Sequence, residues 1–123
     1  MATIYSLGFL LNRASVALAK AMNARLEANN IDLPHSQFVV LRCLYYEDKL
    51  SQLEIAHLLS KDAAAIKRTI DNLEKKGFVE RHPVRNFKNS VSITEKAKLI
   101  MPEVLKIADD VIGEALNNID TDS

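Results

Sequence analysis

Residues 51–77 carry two short helical patterns separated by three residues, and this spacing constrains the fold more than any other feature of the chain. Ser51 and Glu54 have the spacing of a capping box, which predicts a helix that begins at Gln52. The run Ser60-Lys61-Asp62 then interrupts the apolar pattern with residues typical of a turn and of a new helix N-cap. Two short helices joined by so tight a corner predict a helix-turn-helix.

The two predicted helices differ in the distribution of apolar and charged residues over their faces. The first has an apolar side made of Leu53, Ile55, Ala56, Leu58 and Leu59. The second starts near Ala63, stops at Gly77, and repeats apolar residues at helical spacing at Ile66, Ile70 and Leu73. Its other faces hold Lys67, Arg68, Asp71, Asn72 and Lys75. We therefore expect one side of the second helix to pack and the other to face outward, as in a helix that enters the DNA major groove.

A helix pair with a charged outer face is also an ordinary solvated corner of a helical domain, so the residues that follow it matter. Residues 78–81 and 90–94 have the composition and alternation of two antiparallel strands. The loop between them, 82–89, contains Pro83 together with basic and amide side chains. A helix-turn-helix followed by a basic hairpin is the winged-helix arrangement.

Three strings in this order and spacing resemble the MarR family of bacterial transcription regulators: Leu50–Ala56, Ile70–Arg81 and Ile93–Lys96. The resemblance extends from about Leu33 to Lys98. It implies a homodimeric winged-helix protein that binds double-stranded DNA, most often as a repressor. It also implies a possible small-molecule inducer, whose identity the sequence does not give, because many members of the family are released from DNA by small phenolic ligands or by oxidation.

The chain departs from the family pattern at two places. The wing loop reads Val84 to Asn89, shorter than the family's run containing Asp-Arg-Arg, and Arg85 is our first choice for the wing arginine, followed by Lys88. Ala63 to Ala65 stand where the family tends to carry hydroxyl residues. An alanine side chain cannot form a hydrogen bond with a base, although its methyl group can contact a thymine methyl.

We expect the DNA contacts to come from the helix pair, the first strand and the wing. Arg68 best matches the family's arginine, and with Lys67 it can reach guanine acceptors or a phosphate. The N-terminus of the second helix favours a phosphate through its backbone donors. For each residue the alternative is simple solvent exposure. The predicted DNA-binding residues are Ser51, Gln52, Asp62, Ala63, Ala64, Lys67, Arg68, Arg81, Arg85, Asn86 and Lys88.

Length and charge agree with this interpretation. A chain of 123 residues with 48% hydrophobic content suits one domain, 1–123, with a winged-helix core at about 33–98. The formal net charge is zero, which argues against a nucleic-acid binder. The charge is segregated, however: residues 61–88 hold eight Lys/Arg against four Asp/Glu, and residues 95–123 hold three against seven.

Two long helical patterns, at about 4–28 and 95–119, flank the winged core. Both carry more apolar surface than a small monomer needs, so we expect them to form a homodimer interface. The predicted dimerisation residues are Leu7, Leu11, Leu18, Val111 and Leu116. The alternative is that both helices cover the core of a monomer. The fold class is thus mainly α with a small β-hairpin, a winged helix-turn-helix between long terminal dimerisation helices.

A further helix is predicted from His35 to Tyr46, with Phe38, Leu41, Leu44 and Tyr45 facing the core. Cys43 is the only cysteine, and its apolar neighbours favour a buried structural position over a redox sensor.

Other function classes find little support in the sequence. No His/Cys spacing fits a metal site, and we expect no cofactor, no metal and no enzymatic activity. Neither a signal peptide nor a membrane span is evident, so we expect a cytoplasmic protein with no membrane partner. The alternative function is a winged-helix protein-interaction module without DNA binding, which would not need the local positive charge.

Overall fold

The computed structural model describes the backbone of residues 2–83 and 89–122, and the side chains of residues 6–83 and 90–117. Five helices and three strands lie within these ranges. They are α1 (Ala2–Ala28), α2 (His35–Tyr46), β1 (Leu50–Ser51), α3 (Gln52–Leu59), α4 (Ala63–Lys75), β2 (Val79–Pro83), β3 (Asn89–Ile93) and α5 (Glu95–Asp122). The predicted fold class, mainly α with a small β-hairpin, is confirmed, and the hairpin lies in a three-stranded antiparallel sheet.

The chain divides into two units. One is Ser36–Glu103 and contains α2, the helix pair α3 and α4, the three strands and the first residues of α5. We call it the winged unit. The other combines Met1–His35 with Val104–Ser123, and thus α1 with most of α5. We call it the terminal-helix unit.

A capping box starts α3, as the sequence predicts. The Glu54 backbone N–H donates to Ser51 Oγ at 3.1 Å, and the Ser51 N–H donates to Glu54 Oε1 at 3.2 Å. Ser60 ends the helix in the left-handed conformation, with φ of 52°. Asp62 occupies the N-cap position of α4, but its side chain makes no capping hydrogen bond.

The prediction that α3 packs through Leu53, Ile55, Ala56, Leu58 and Leu59 is largely wrong. Only Ile55 and Ala56 are buried, whereas Leu53 is 67% exposed and Leu58 is 51% exposed. At about 100° per residue, Leu53 lies on the opposite side of the helix from Ile55. A helix of eight residues that packs through one stripe leaves those other faces in solvent.

The second helix of the pair packs and ends as predicted. Ile66, Ile70 and Leu73 are all buried. Gly77 follows α4 with φ of +79°, its N–H donates to the Glu74 carbonyl at 3.0 Å, and the Phe78 N–H donates to the Leu73 carbonyl at 2.9 Å. These two bonds form a Schellman motif, which turns the chain from α4 into β2.

The predicted hairpin is present, within a three-stranded antiparallel sheet of order β1-β3-β2. Its β2 and β3 strands pair from Val79 with Ile93 to Pro83 with Asn89, so both strands extend into the predicted 82–89 loop. The third strand, β1, pairs Leu50 with Val91. Two residues are too few to show alternation, so the sequence does not predict β1.

In the terminal-helix unit, α1 ends where the Asn29-Asn30 pair predicts. Asn30 has φ of 58°, and the Ile31 N–H donates to the Leu26 carbonyl at 2.9 Å. Arg25 joins α1 to α5 through two hydrogen bonds to the Glu114 carboxylate, at 2.7 and 2.9 Å. The buried side chains of this unit are Met22, Leu26, Leu33, Val104, Ile107, Ala108 and Val111.

The α2 helix has the predicted bounds, and Phe38, Leu41 and Leu44 are buried as expected. Tyr45, which we also expected to face the core, is only half-buried. The structure corrects the predicted burial of Cys43 in the same way, because this residue is half-buried in an open concavity of α2 and α3. A side chain at the edge of the packed face of a helix keeps one side open to solvent.

The half-buried environment of Cys43 predicts a thiol that reacts slowly with alkylating agents. Burial raises the pKa of the Cys43 thiol, and the neighbouring Glu47 carboxylate raises that pKa further. Because the thiolate is the reactive form, we expect iodoacetamide to alkylate Cys43 at neutral pH more slowly than free cysteine. Mass spectrometry over time measures the rate, with the urea-unfolded chain as control. Alkylation as fast as free cysteine would contradict this prediction.

Candidate nucleic-acid interface

The outward face of α4 presents short and cationic side chains together. Ala63, Ala64, Lys67 and Arg68 are all exposed, and the buried stripe of the helix lies on its other side. Lys67 Nζ lies 3.6 Å from Oδ2 of Asp71, one helical turn away. Within the described part of the chain, Arg68 makes neither a hydrogen bond nor an ion pair. This face therefore offers an uncommitted guanidinium on the same helix as two exposed alanines, Ala63 and Ala64.

The N-terminus of α4 is open to a ligand. Asp62 is exposed and in extended conformation, and its side chain does not cap the helix. The backbone N–H groups of the first turn are therefore not satisfied by that carboxylate. The partial positive charge of a helix N-terminus favours an anion such as a phosphate at this point.

Arg81 and Gln52, two other predicted DNA-binding residues, are in direct contact with each other. Arg81 Nε donates to Gln52 Oε1 at 3.1 Å. The same guanidinium donates from Nη2 to Asp71 Oδ1 at 2.6 Å and from Nη1 to Glu74 Oε1 at 2.8 Å. The Arg81 side chain is only 18% exposed. The structure thus places Arg81 in an ion-pair cluster inside the winged unit.

The hydrogen bond and ion pair from Arg81 stabilise the charged form of the Asp71 carboxylate. The pKa of the Asp71 carboxyl lies below its usual value, chiefly because Arg81 donates a hydrogen bond to it. Partial burial opposes that shift, while the charges of Arg81 and Lys67 add to it. Since the folded pKa is lowered, this stabilisation is present above the carboxyl's unfolded pKa and is lost as the pH falls through the folded pKa.

Sequence reasoning missed the role of Asp71 and Glu74, which it placed among outward-facing residues or did not single out. A signal was available: two carboxylates three positions apart lie on one side of a helix, and an arginine follows on the next strand. Ser51 from the predicted set is half-buried and committed to the capping box. Arg85, Asn86 and Lys88, the predicted wing residues, lie outside the described residues.

The terminal-helix unit exposes an apolar surface. Leu7 is 60% exposed and Leu11 is 62% exposed, and Leu116 is also exposed. Leu18 is half-buried and Val111 is 4% exposed, so these two predicted dimerisation residues lie deeper in the unit. They contribute to an open apolar groove of about 380 Å³ between α1 and α5, whose other lining residues include Ala14, Ala17, Ala21, Ile112 and Ala115.

The described residues form neither a metal site nor a membrane span. Across the described ranges, no cluster of three or more His, Cys, Asp or Glu side chains has the geometry to hold a metal ion. Among the described helices, none combines the length and apolar character of a membrane span.

Comparison with known proteins agrees with this geometry. The MarR family model matches residues 33–86. The uncharacterized HTH-type transcriptional regulator YwoH from Bacillus subtilis is 29% identical over 109 residues, which cover 85% of this chain and 78% of YwoH. A second B. subtilis regulator, YybA, is 27% identical over 89 residues; the match covers 69% of this chain but only 59% of YybA.

Solved structures give the same result for the fold. Apo wild-type MarR from E. coli is 27% identical, with a TM-score of 0.79 over 91% of this chain and 84% of that one. A cysteine-to-serine mutant of E. coli MarR, complexed with operator DNA, is 27% identical with a TM-score of 0.83 over 94% of this chain and 84% of that one. The winged helix, the matched family model and these regulators lead to one conclusion. The winged-helix core of this chain resembles that of the MarR family of DNA-binding transcriptional regulators.

Proposed function

We propose that the chain acts as a homodimer that binds a pseudo-palindromic operator and represses transcription by occluding a promoter. The observation that carries the proposal is the outward face of α4, where Arg68 is exposed and has no partner among the described residues. An unpaired cation on the second helix of a helix-turn-helix is suited to the DNA major groove. The likeness to a MarR structure that contains operator DNA supports this placement.

The proposed contacts follow from the exposure of each side chain. Arg68 and Lys67 reach base edges or phosphates, and the methyl groups of Ala63 and Ala64 contact thymine methyls. The uncapped start of α4 at Asp62 receives a phosphate. Among the remaining predicted residues, Ser51 and Gln52 at the start of α3 lie near the DNA backbone. The wing supplies further DNA contacts through Arg85, Asn86 and Lys88.

The proposed dimer uses the exposed leucines of the terminal-helix unit. Leu7, Leu11 and Leu116 are exposed, and a two-fold interface is the simplest way to bury them. Leu18 and Val111 line the groove beneath that surface. In this proposal residues 1–123 work as one domain, with 33–98 as the DNA-binding core and 4–28 and 95–119 as dimerisation helices.

Two further elements of the proposal rest on the family resemblance. A small-molecule inducer of unidentified class would release the protein from DNA. A bacterial regulator that acts on chromosomal DNA works in the cytoplasm, and we propose that location. Neither element needs a cofactor or catalytic activity.

A titration of fluorescent duplex DNA at several salt concentrations tests the proposal. We expect binding at low salt that weakens steeply as salt rises, because phosphate contacts release counterions. A chain that binds no DNA at low salt would contradict the proposal and would favour the alternative, a winged-helix module that docks on proteins.

The wing contributes a separate prediction. Arg85→Ala is expected to weaken operator and nonspecific DNA alike and to reduce the salt slope by about one unit, as for one lost phosphate contact. Lys20→Ala, which removes the same charge from an exposed position of α1, is the matched control and leaves the slope unchanged. A loss confined to one DNA sequence would instead show that Arg85 reads bases.

A further inference from the structure

Arg81 connects three elements of the winged unit through one side chain. It lies on β2, and its guanidinium donates to Gln52 at the start of α3 and to Asp71 and Glu74 on α4, all within 2.6–3.1 Å. The two carboxylates lie on one side of α4 because they are three positions apart. The planar fork of arginine suits such an arrangement, since its donors have fixed relative directions.

This cluster restrains β2, the strand that follows the turn at Gly77. The backbone passes from α4 to β2 through Gly77, whose φ of +79° is the left-handed conformation of the Schellman turn. Four residues later, Arg81 fixes β2 to α4 a second time. Two attachments, one through the backbone and one through the guanidinium, define the direction in which β2 leaves α4.

The same geometry argues against a direct role of Arg81 in binding phosphate. Its charge is already compensated by two carboxylates at 2.6 and 2.8 Å, and its side chain is mostly buried. Turning the guanidinium to DNA would leave Glu74 without its Arg81 ion pair and Asp71 with only the longer Lys67 contact, at 3.6 Å, beside a polyanion. Arg68, in contrast, has no such commitments within the described part of the chain.

We infer that Arg81 is a positioning residue, which sets the angle between the recognition helix α4 and the wing strand β2 through Asp71, Glu74 and Gln52, and that it does not contact DNA. The inference rests on the proposed function. The inference predicts a change in operator affinity opposite to the one expected from charge alone. Removing a negative charge close to DNA ordinarily tightens binding, but removing Asp71 or Glu74 weakens operator binding because β2 loses its alignment with α4.

The experiment compares operator affinity, nonspecific DNA affinity and salt slope for the full chain and four variants. Arg81→Lys keeps the charge but loses the fork, and Arg81→Gln loses both. Glu74→Gln removes one carboxylate of the cluster, at a position exposed enough for the fold to be retained. Glu80→Gln is the matched control, because it removes an exposed carboxylate from β2 outside the cluster. Circular dichroism reports folding.

We expect Arg81→Lys and Arg81→Gln to weaken operator binding alike, by about ten-fold, the change that accompanies loss of one well-formed charged hydrogen bond. Nonspecific affinity and the salt slope stay near their wild-type values. Glu74→Gln also weakens operator binding, whereas Glu80→Gln leaves it unchanged or slightly tighter. A purely structural role would instead weaken both kinds of DNA in proportion to lost folded protein.

Two results would overturn the inference while leaving DNA binding intact. In one, Arg81→Lys retains operator affinity and Arg81→Gln lowers the salt slope by about one unit, which identifies a phosphate contact. In the other, Glu74→Gln binds the operator at least as tightly as Glu80→Gln. If the Arg81 variants fail to fold, the comparison of Glu74→Gln with Glu80→Gln decides. A wild-type chain that binds no DNA would remove both the proposed function and this inference.

Discussion

Replacing both Leu7 and Leu11 with Glu is expected to give a folded monomer whose operator affinity is lower by about a hundred-fold or more, since two half-sites no longer bind as one ligand. The two leucines are 60% and 62% exposed within the chain, so its own core does not depend on them. In the proposed dimer they are buried, and four carboxylates at a two-fold interface would repel one another. Sedimentation velocity and gel-shift assays on the same sample measure both effects.

Leu99→Glu is the control for this prediction. Leu99 is also an exposed leucine, but it lies in the winged unit on α5. We expect this variant to remain dimeric. A wild-type chain that sediments as a monomer at micromolar concentration, or a Leu7/Leu11 variant that stays dimeric, would contradict the assignment of the interface to the terminal helices.

The second large effect is expected for Arg68→Ala, which should leave the fold intact and remove preference for the operator. One bidentate contact between an arginine and a guanine contributes roughly 1–3 kcal/mol of discrimination against the wrong base. No described residue holds the Arg68 side chain, so its loss leaves no unpaired partner in the protein. Competition between operator and random duplex measures the ratio of specific to nonspecific affinity.

Lys75→Ala provides the matched control for Arg68→Ala. It removes one exposed positive charge from the last turn of the same helix, away from the N-terminal half of α4. We expect it to preserve the specificity ratio. If Arg68→Ala binds the operator as tightly as the parent chain while remaining folded, Arg68 is not a specificity determinant.

The parts of the fold that were predictable from the sequence depend on local signals. The capping box of Ser51 and Glu54 fixed the start of α3, and Gly77 fixed the end of α4, because each acts through backbone groups a few residues away. The stripe of Ile66, Ile70 and Leu73 identified the packed side of α4 in the same way. The bounds of α2 also followed from a proline and a helical pattern close to each other in the chain.

The parts that were not predictable depend on tertiary contacts. Leu53 and Leu58 look like core residues, but whether a leucine is covered depends on elements distant in sequence. The two-residue strand β1 exists only because β3, some forty residues later, offers it a partner. Arg81 was predicted to contact DNA, and only the folded chain places Asp71 and Glu74 against it.

Selection of bound DNA from a random pool tests the central claim most directly, because it measures sequence-specific binding and dimeric symmetry together. With the wild-type chain at low salt, we expect enrichment of a pseudo-palindrome whose two half-sites are about one helical turn, roughly 34 Å, apart. Recovery of no enriched sequence, or of a single asymmetric half-site, would contradict the proposal that this chain represses transcription as a homodimer on an operator.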